Sequence, residues 1–161
     1  MRGMQGSPHD SVKPVFGLGG GAAAAGWAGL LPFAAALACV ALAPDVAWRG
    51  FGIRLALAWG AVILTFVAAV HWGLALAGRW RWDAVVIAGS VLPSVLGAAA
   101  VLQGGTRGIA LLVAGFGIFW LYEHRRCGDD LPADYLALRR SLTLAVVELL
   151  AVTAIAAGPD A

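Results

Sequence analysis

Two ionisable side chains, His71 and Glu148, lie inside long uncharged stretches of the sequence. Ionisable groups are costly within a bilayer, and they usually face the interior of a helix bundle, where they pair with each other or serve a ligand or a proton. His71 precedes Gly78 by seven residues and Glu148 follows Leu142 by six. At roughly 1.5 Å per residue, both side chains lie about 9–11 Å inside the same edge of their predicted spans. We therefore predict a direct or water-bridged contact between His71 and Glu148.

Three roles are open for these two residues: a packing contact without chemistry, a ligand, proton or cofactor site, or a Glu148 side chain that faces water or a partner protein. Each of the two lies on a helical stripe of mainly small residues, which let neighbouring helices approach closely. The two stripes are Ala61, Ala68, His71, Ala75 and Gly78, and Ser141, Ala145, Glu148, Val152 and Ala156.

Trp27 and Trp72 are further candidates for a ligand pocket or a polar contact, because a quinone site near His71 could use both indoles. His9 and His124 are the other histidines, and neither falls inside a predicted span, so the sequence does not support a two-histidine haem site. We predict no catalytic residues, no metal ligands and no bound cofactor.

Two motifs elsewhere in the chain are weak. Residues 17–22 fit the dinucleotide pattern G-x-G-x-x-A, but the strand and βαβ unit that this pattern requires are missing from the sequence. His124, Cys127, Asp129 and Asp130 share one loop without a second ligand pair at metal-binding spacing. Asp129 and Asp130 are better interpreted as a helix N-cap, with Pro132 in the first turn.

The composition indicates the elements that carry these residues. Of the 161 residues, 61% are hydrophobic and 12% are charged, whereas a soluble domain has about a quarter charged residues. A chain of this length cannot bury so many apolar side chains, so a soluble globular enzyme is excluded. The net charge of +2 is too small for binding to a nucleic-acid backbone.

The uncharged stretches predict an all-α integral membrane protein with five transmembrane helices in one bundle. The predicted spans are residues 17–43, 55–78, 84–102, 108–122 and 142–158. Residues 1–16 are predicted to form a flexible cytoplasmic tail, and residues 159–161 a second, short tail. Pro32 and Pro93 are expected to kink their helices without ending them.

The distribution of Lys and Arg predicts the orientation. Eight of the 11 basic residues fall on the side of the N-terminal tail and three on the other side. Because cytoplasmic loops carry the excess of positive charge, we predict a multi-pass protein of the bacterial inner membrane with its N-terminus in the cytoplasm.

Three segments together resemble a known family. They are Gly26–Phe33, residues 59–76 with the core His71-Trp72-Gly73, and residues 132–147 with Pro132, Tyr135, Leu136, Arg139, Leu142 and Thr143. This pattern resembles the small multi-span membrane family, bacterial and mitochondrial, that includes transmembrane protein sixty-nine and is a domain of unknown function. The resemblance covers residues 17 to 150 and implies a membrane fold, but no reaction. Ala68-Ala69 and Asp134 depart from the family pattern, and Glu148 is not part of it.

The function expected from these observations is that of a non-enzymatic accessory protein, which binds the lipid bilayer and other membrane proteins or a second copy of itself. The alternative is a carrier or sensor of a small apolar ligand, a quinone or a tetrapyrrole, in a pocket near His71. An enzyme would need more convergent polar groups than the spans contain.

Overall fold

A computed structural model describes residues 20–127 and 131–158 of the chain. The predicted tails at residues 1–16 and 159–161 lie outside the described residues, as do Asp129 and Asp130. The described residues form six α-helices: α1 (Gly20–Ala28), α2 (Leu31–Leu42), α3 (Val46–Leu76), α4 (Ala84–Gln103), α5 (Gly105–Cys127) and α6 (Ala133–Ala157).

Five helical segments are long and apolar enough to cross a membrane. Helices α1 and α2 together form the first, Gly20–Leu42, and each of α3 to α6 forms one more. The all-α membrane bundle predicted from the uncharged stretches is therefore confirmed.

The first span is broken, not kinked, near its middle. Helix α1 ends at Ala28, and α2 begins at Leu31 with Pro32 in its first turn. Proline fits there because its missing N–H would have no helical partner in any case. The indole of Trp59 donates a hydrogen bond of 2.9 Å to the carbonyl oxygen of Gly29, which lies at the break. Pro93, by contrast, stays inside α4 as predicted.

Three helices extend beyond their predicted spans into charged sequence. Helix α5 runs from Gly105 to Cys127, past both predicted bounds at residues 108 and 122. Helix α3 begins at Val46 and α6 at Ala133, each nine residues before the start of its predicted span. The Asp45 carboxylate caps α3 by accepting a hydrogen bond of 2.6 Å from the backbone N–H of Ala47. Pro132 is the N-cap of α6 and so precedes its first turn, which corrects the predicted position of this proline.

Helix α3 lies at the centre of the bundle and contacts α2, α4, α5 and α6. Its closest approach to α2 depends on Gly52, since a Cβ atom at this position would lie 2.7 Å from the carbonyl oxygen of Ala36. The core around α3 is filled by aliphatic and aromatic side chains, among them Phe33, Leu57, Leu64, Leu112, Phe116 and Leu150.

The two ends of the bundle differ in charge. We call the end where α3 and α5 finish and α4 and α6 begin the Arg-rich end, because it carries Arg79, Arg81, Arg125, Arg126, Arg139 and Arg140. At this end the Asp83 carboxylate caps α4 through the backbone N–H of Val86 at 2.8 Å, and it lies 3.5 Å from the guanidinium of Arg126.

Candidate functional site

His71 lies at the Arg-rich end of α3, on the stripe that faces the core. The stripe Leu64, Ala68, His71 and Ala75 is buried, and the His71 side chain is fully enclosed. Three aromatic rings surround the imidazole: Trp80 and Phe119 with ring centres at 5.2 Å, and Tyr122 at 5.5 Å. The small-residue face predicted around His71 is thus a contact face of the bundle.

The acidic neighbour of His71 is Glu123 on α5. Glu123 continues the buried stripe of Leu112, Phe116 and Phe119 by one helical turn and is itself only 1% exposed. Its Oε1 atom lies 3.6 Å from His71 Nε2.

Arg139 on α6 completes the site. Its Nε donates a hydrogen bond of 3.0 Å to Glu123 Oε2, and its Nη1 donates one of 3.4 Å to the hydroxyl oxygen of Thr143. The guanidinium carbon lies 5.7 Å from the centre of the Phe119 ring, within the range of a cation–π contact. We refer to His71, Glu123, Arg139 and Thr143 as the polar cluster.

The three ionisable members of the polar cluster lie at one level, although they come from three helices. His71 precedes the end of α3 by five residues, Glu123 precedes the end of α5 by four, and Arg139 follows the start of α6 by six. Each is therefore about 6–9 Å inside its helix end. Opposite charges at the same depth neutralise each other, which lowers the cost of removing Glu123 and Arg139 from water.

Three buried polar atoms in this cluster have no hydrogen-bond partner: Nδ1 and Nε2 of His71, and Oε1 of Glu123. Buried polar groups are normally paired, so such atoms call for an explanation. A small inward movement would close the 3.6 Å gap into a hydrogen bond between the imidazole and the carboxylate. The same atoms could also exchange a proton or accept a polar group of a ligand.

A groove between α5 and α6 reaches the polar cluster from the surface of the Arg-rich end. This α5–α6 groove has a volume of about 410 Å³ and is lined by Trp120, Glu123, His124, Leu136, Ala137, Arg139 and Arg140. His124 stacks on Trp120 with a ring-centre distance of 5.5 Å. Glu123 and Arg139 thus belong both to the buried cluster and to the wall of the groove.

The predicted contact between His71 and Glu148 is wrong. Glu148 is exposed, and the carboxylate within 4 Å of His71 belongs to Glu123. The error follows from placing the membrane edge at Leu142, because Glu148 lies fifteen residues, or about 22 Å, from Ala133, where α6 begins at the Arg-rich end. The buried stripe of α6 is Arg139, Thr143, Val146, Leu150 and Thr153, so the stripe predicted through Glu148 is not the contact face.

Neither tryptophan candidate contacts the imidazole. Trp72 is 45% exposed and packs edge-on against Trp82, with ring centres 4.9 Å apart. Trp27 is 48% exposed on α1. The indole that does contact His71 is Trp80.

The sequence analysis missed Glu123, and it named Arg139 only as part of the family pattern, although a signal for both was present. Both residues fall between the predicted spans 108–122 and 142–158. Extending the apolar stripe of α5 by one turn beyond Phe119 leads to Glu123, and extending that of α6 by one turn before Thr143 leads to Arg139. A charged residue that continues a buried helical stripe is thus the signal that would have found them.

The metal-ligand types noted around His124 form no site in the part of the chain that the structure describes, where no group of three His, Cys, Asp or Glu residues could hold an ion. Two of the four residues, Asp129 and Asp130, lie outside that part.

Fold and site define a multi-pass helical membrane protein with a buried polar cluster at one end. Residues 20–155 match the model of a family described as a protein of unknown function, DUF3429, and the chain belongs to this family. No curated protein and no solved structure matches the chain.

Proposed function

We propose that this chain is a non-enzymatic accessory protein that binds a transmembrane helix of a partner protein in the groove between α4 and α5. The observation that carries the proposal is the shape and lining of this groove. It has a volume of about 740 Å³, and all but one of its lining side chains are apolar, the exception being Tyr122. The small residues that the groove exposes wholly or in part are Ala84, Ala88 and Ala99, whereas Gly89 and Gly115 are covered by Tyr122 and Leu96 of the chain itself.

Small residues matter here because the hydrophobic effect does not drive helices together inside a bilayer. Helix association depends on close van der Waals packing, and small alanine side chains let two helices approach. Along α4 the lining residues run from Ala84 to Ala99, a rise of about 22 Å. The groove thus extends over most of a hydrocarbon core of ~30 Å, as a partner helix requires.

The polar cluster supports a role without catalysis. Its two charged groups are bonded to each other, because the Arg139 guanidinium donates to the Glu123 carboxylate. This pair links α5 to α6, as polar contacts between membrane helices commonly do, and it leaves little uncompensated charge for a reacting substrate.

A photo-crosslinking experiment in native membranes tests this proposal. Ala99 lines the groove and Ala98 does not, and both are exposed on α4, so they form a matched pair. A photoreactive residue at position 99 should crosslink one defined membrane protein, and the same residue at position 98 should not. Ala99→Trp should abolish co-purification of that protein, whereas Ala98→Trp should preserve it. Crosslinks from position 99 to lipid alone, or to a second copy of this chain alone, would reject a partner protein.

A second candidate function is a carrier or sensor of a quinone or tetrapyrrole at His71. The unpartnered His71 nitrogens and Glu123 Oε1 favour it, because a ligand carbonyl or carboxyl group could hydrogen-bond to the imidazole once the aromatic rings that enclose His71 had moved aside. Protein purified in mild detergent should then carry the ligand, detectable by mass spectrometry and by its absorption. His71→Phe should remove it and Trp72→Phe should not. Wild-type protein free of any such molecule would exclude this function.

The location proposed for the protein is the bacterial inner membrane, with the Arg-rich end in the cytoplasm. The excess of basic residues at this end supports the orientation. A fluorescent or phosphatase reporter fused after residue 161 tests it, because an odd number of spans then places the reporter in the periplasm.

The proposed kinship with transmembrane protein sixty-nine is supported by the segment His71-Trp72-Gly73.

A further inference from the structure

We propose that the α5–α6 groove binds the phosphate of an anionic headgroup. This site lies apart from the α4–α5 groove and does not depend on the proposed partner helix. It takes its chemistry from the two arginines of α6 that line it, Arg139 and Arg140.

Arg139 offers a positioned donor for such a ligand. It is 8% exposed, and its Nε and Nη1 are held by Glu123 and Thr143. These bonds fix the plane of the guanidinium and leave Nη2 for a further acceptor. A donor that is already oriented loses less conformational entropy when it binds an anion.

Arg140 gives the groove its net positive charge, because the charge of Arg139 is compensated by Glu123. Its side chain is exposed, lines the groove, and forms no ion pair with any carboxylate in the part of the chain that the structure describes. Counting Glu123 against the two arginines leaves the groove with one excess positive charge, even with His124 neutral. Phosphate oxygens accept such paired Arg donors well, because the guanidinium fork matches their spacing.

The apolar part of the lining suits a phosphate that belongs to an amphiphile. Trp120 is half-buried, and Leu136 contributes an aliphatic surface beside the charged side chains. The groove opens at a helix end, where lipid headgroups lie, and basic pockets between transmembrane helices are known to select anionic headgroups. A phospholipid diester and a soluble phosphate monoester both present anionic phosphate oxygens to the arginines, so the test separates these two sources.

The test uses full-length protein and native mass spectrometry in mild detergent. One arm adds phosphatidylglycerol in competition with phosphatidylcholine, and the other adds glycerol 3-phosphate. The variant Arg140→Gln removes one charge from the groove, and Arg81→Gln removes one charge from the same end of the bundle outside the groove. Circular dichroism checks that both variants keep their helices.

We expect Arg140→Gln to weaken binding of the phosphate-bearing molecule about five- to tenfold, as one basic side chain near an anionic group contributes ~1 kcal/mol or slightly more. Arg81→Gln should bind like wild type, and Arg140→Lys should fall between them. The arm in which this difference occurs identifies the source of the phosphate. Equal losses for Arg140→Gln and Arg81→Gln, or no loss in either arm, would overturn the proposal.

Discussion

Removing the negative charge of Glu123 should destabilise the bundle more than any change to an exposed ion pair. Glu123→Gln keeps the shape of the side chain but leaves the Arg139 guanidinium, 8% exposed, without its carboxylate. Breaking a buried pair from one side costs about 3–5 kcal/mol, and the amide oxygen retains one acceptor, so we expect a loss of about 3 kcal/mol.

Arg126→Gln is the matched control, because it breaks the Arg126–Asp83 contact at the same end of the bundle. There the side chains are 57% and 44% exposed, and such pairs contribute about 0–1 kcal/mol. The double variant Glu123→Gln/Arg139→Met removes both charges, so it should recover to within ~1 kcal/mol of wild type.

The assay is reversible unfolding in mixed micelles, with a denaturing detergent as titrant and tryptophan fluorescence as the signal. A Glu123→Gln variant within about 0.5 kcal/mol of wild type, or no less stable than Arg126→Gln, would refute the reasoning. A double variant weaker than Glu123→Gln alone would show that the two charges do not compensate each other.

Two further predictions use the same unfolding measurement. The losses of unfolding free energy for His71→Ala and Glu148→Gln should add within about 0.5 kcal/mol in the double variant. Those for His71→Ala and Glu123→Gln should not add, because Glu123 is the glutamate within 4 Å of the imidazole. Additivity in both double variants would contradict the site geometry. Gly52→Ala should cost about 1–3 kcal/mol, because its Cβ would lie 2.7 Å from the Ala36 carbonyl oxygen. Gly73→Ala, where a Cβ would have no neighbour within 4 Å, should be neutral or slightly stabilising, and equal losses for the two glycines would reject the tight α2–α3 contact.

The number and type of spanning helices could be predicted from the sequence, because bilayer thickness sets the length of an uncharged run and each run folds on its own. The residues at which the helices begin and end could not be predicted in the same way. Spans were bounded at the first charged residue, yet Arg49 lies inside α3 and donates a hydrogen bond of 3.0 Å to the Ala156 carbonyl oxygen. Long charged side chains near helix ends reach partners or water, so they do not end a helix.

The same error in the span boundaries explains why the wrong partner was predicted for His71. His71 was identified correctly as a buried group on a contact face. Its partner depends on which residues of α5 and α6 face the core at the same depth, and this follows from where those helices start and end. Because depth was measured from Leu142, where the predicted span begins, Glu148 took the depth that Arg139 occupies, and Glu123 fell outside any span. Which residues of neighbouring helices lie at the same depth depends on the packing of the whole bundle, so it could not be predicted from local runs of hydrophobic residues.

The central claim, that α3, α5 and α6 meet at His71, Glu123 and Arg139, can be measured in proteoliposomes by solid-state NMR. The chain has two glutamates, Glu123 and Glu148, so ¹³C-labelled carboxyl groups give two signals, which Glu148→Gln assigns. We predict that ¹⁵N in arginine and histidine side chains dephases the Glu123 signal, as expected for N–O separations of 3.0 and 3.6 Å, and leaves Glu148 unaffected. Dephasing of Glu148 by histidine, or a Glu123 signal insensitive to both labels, would contradict the account.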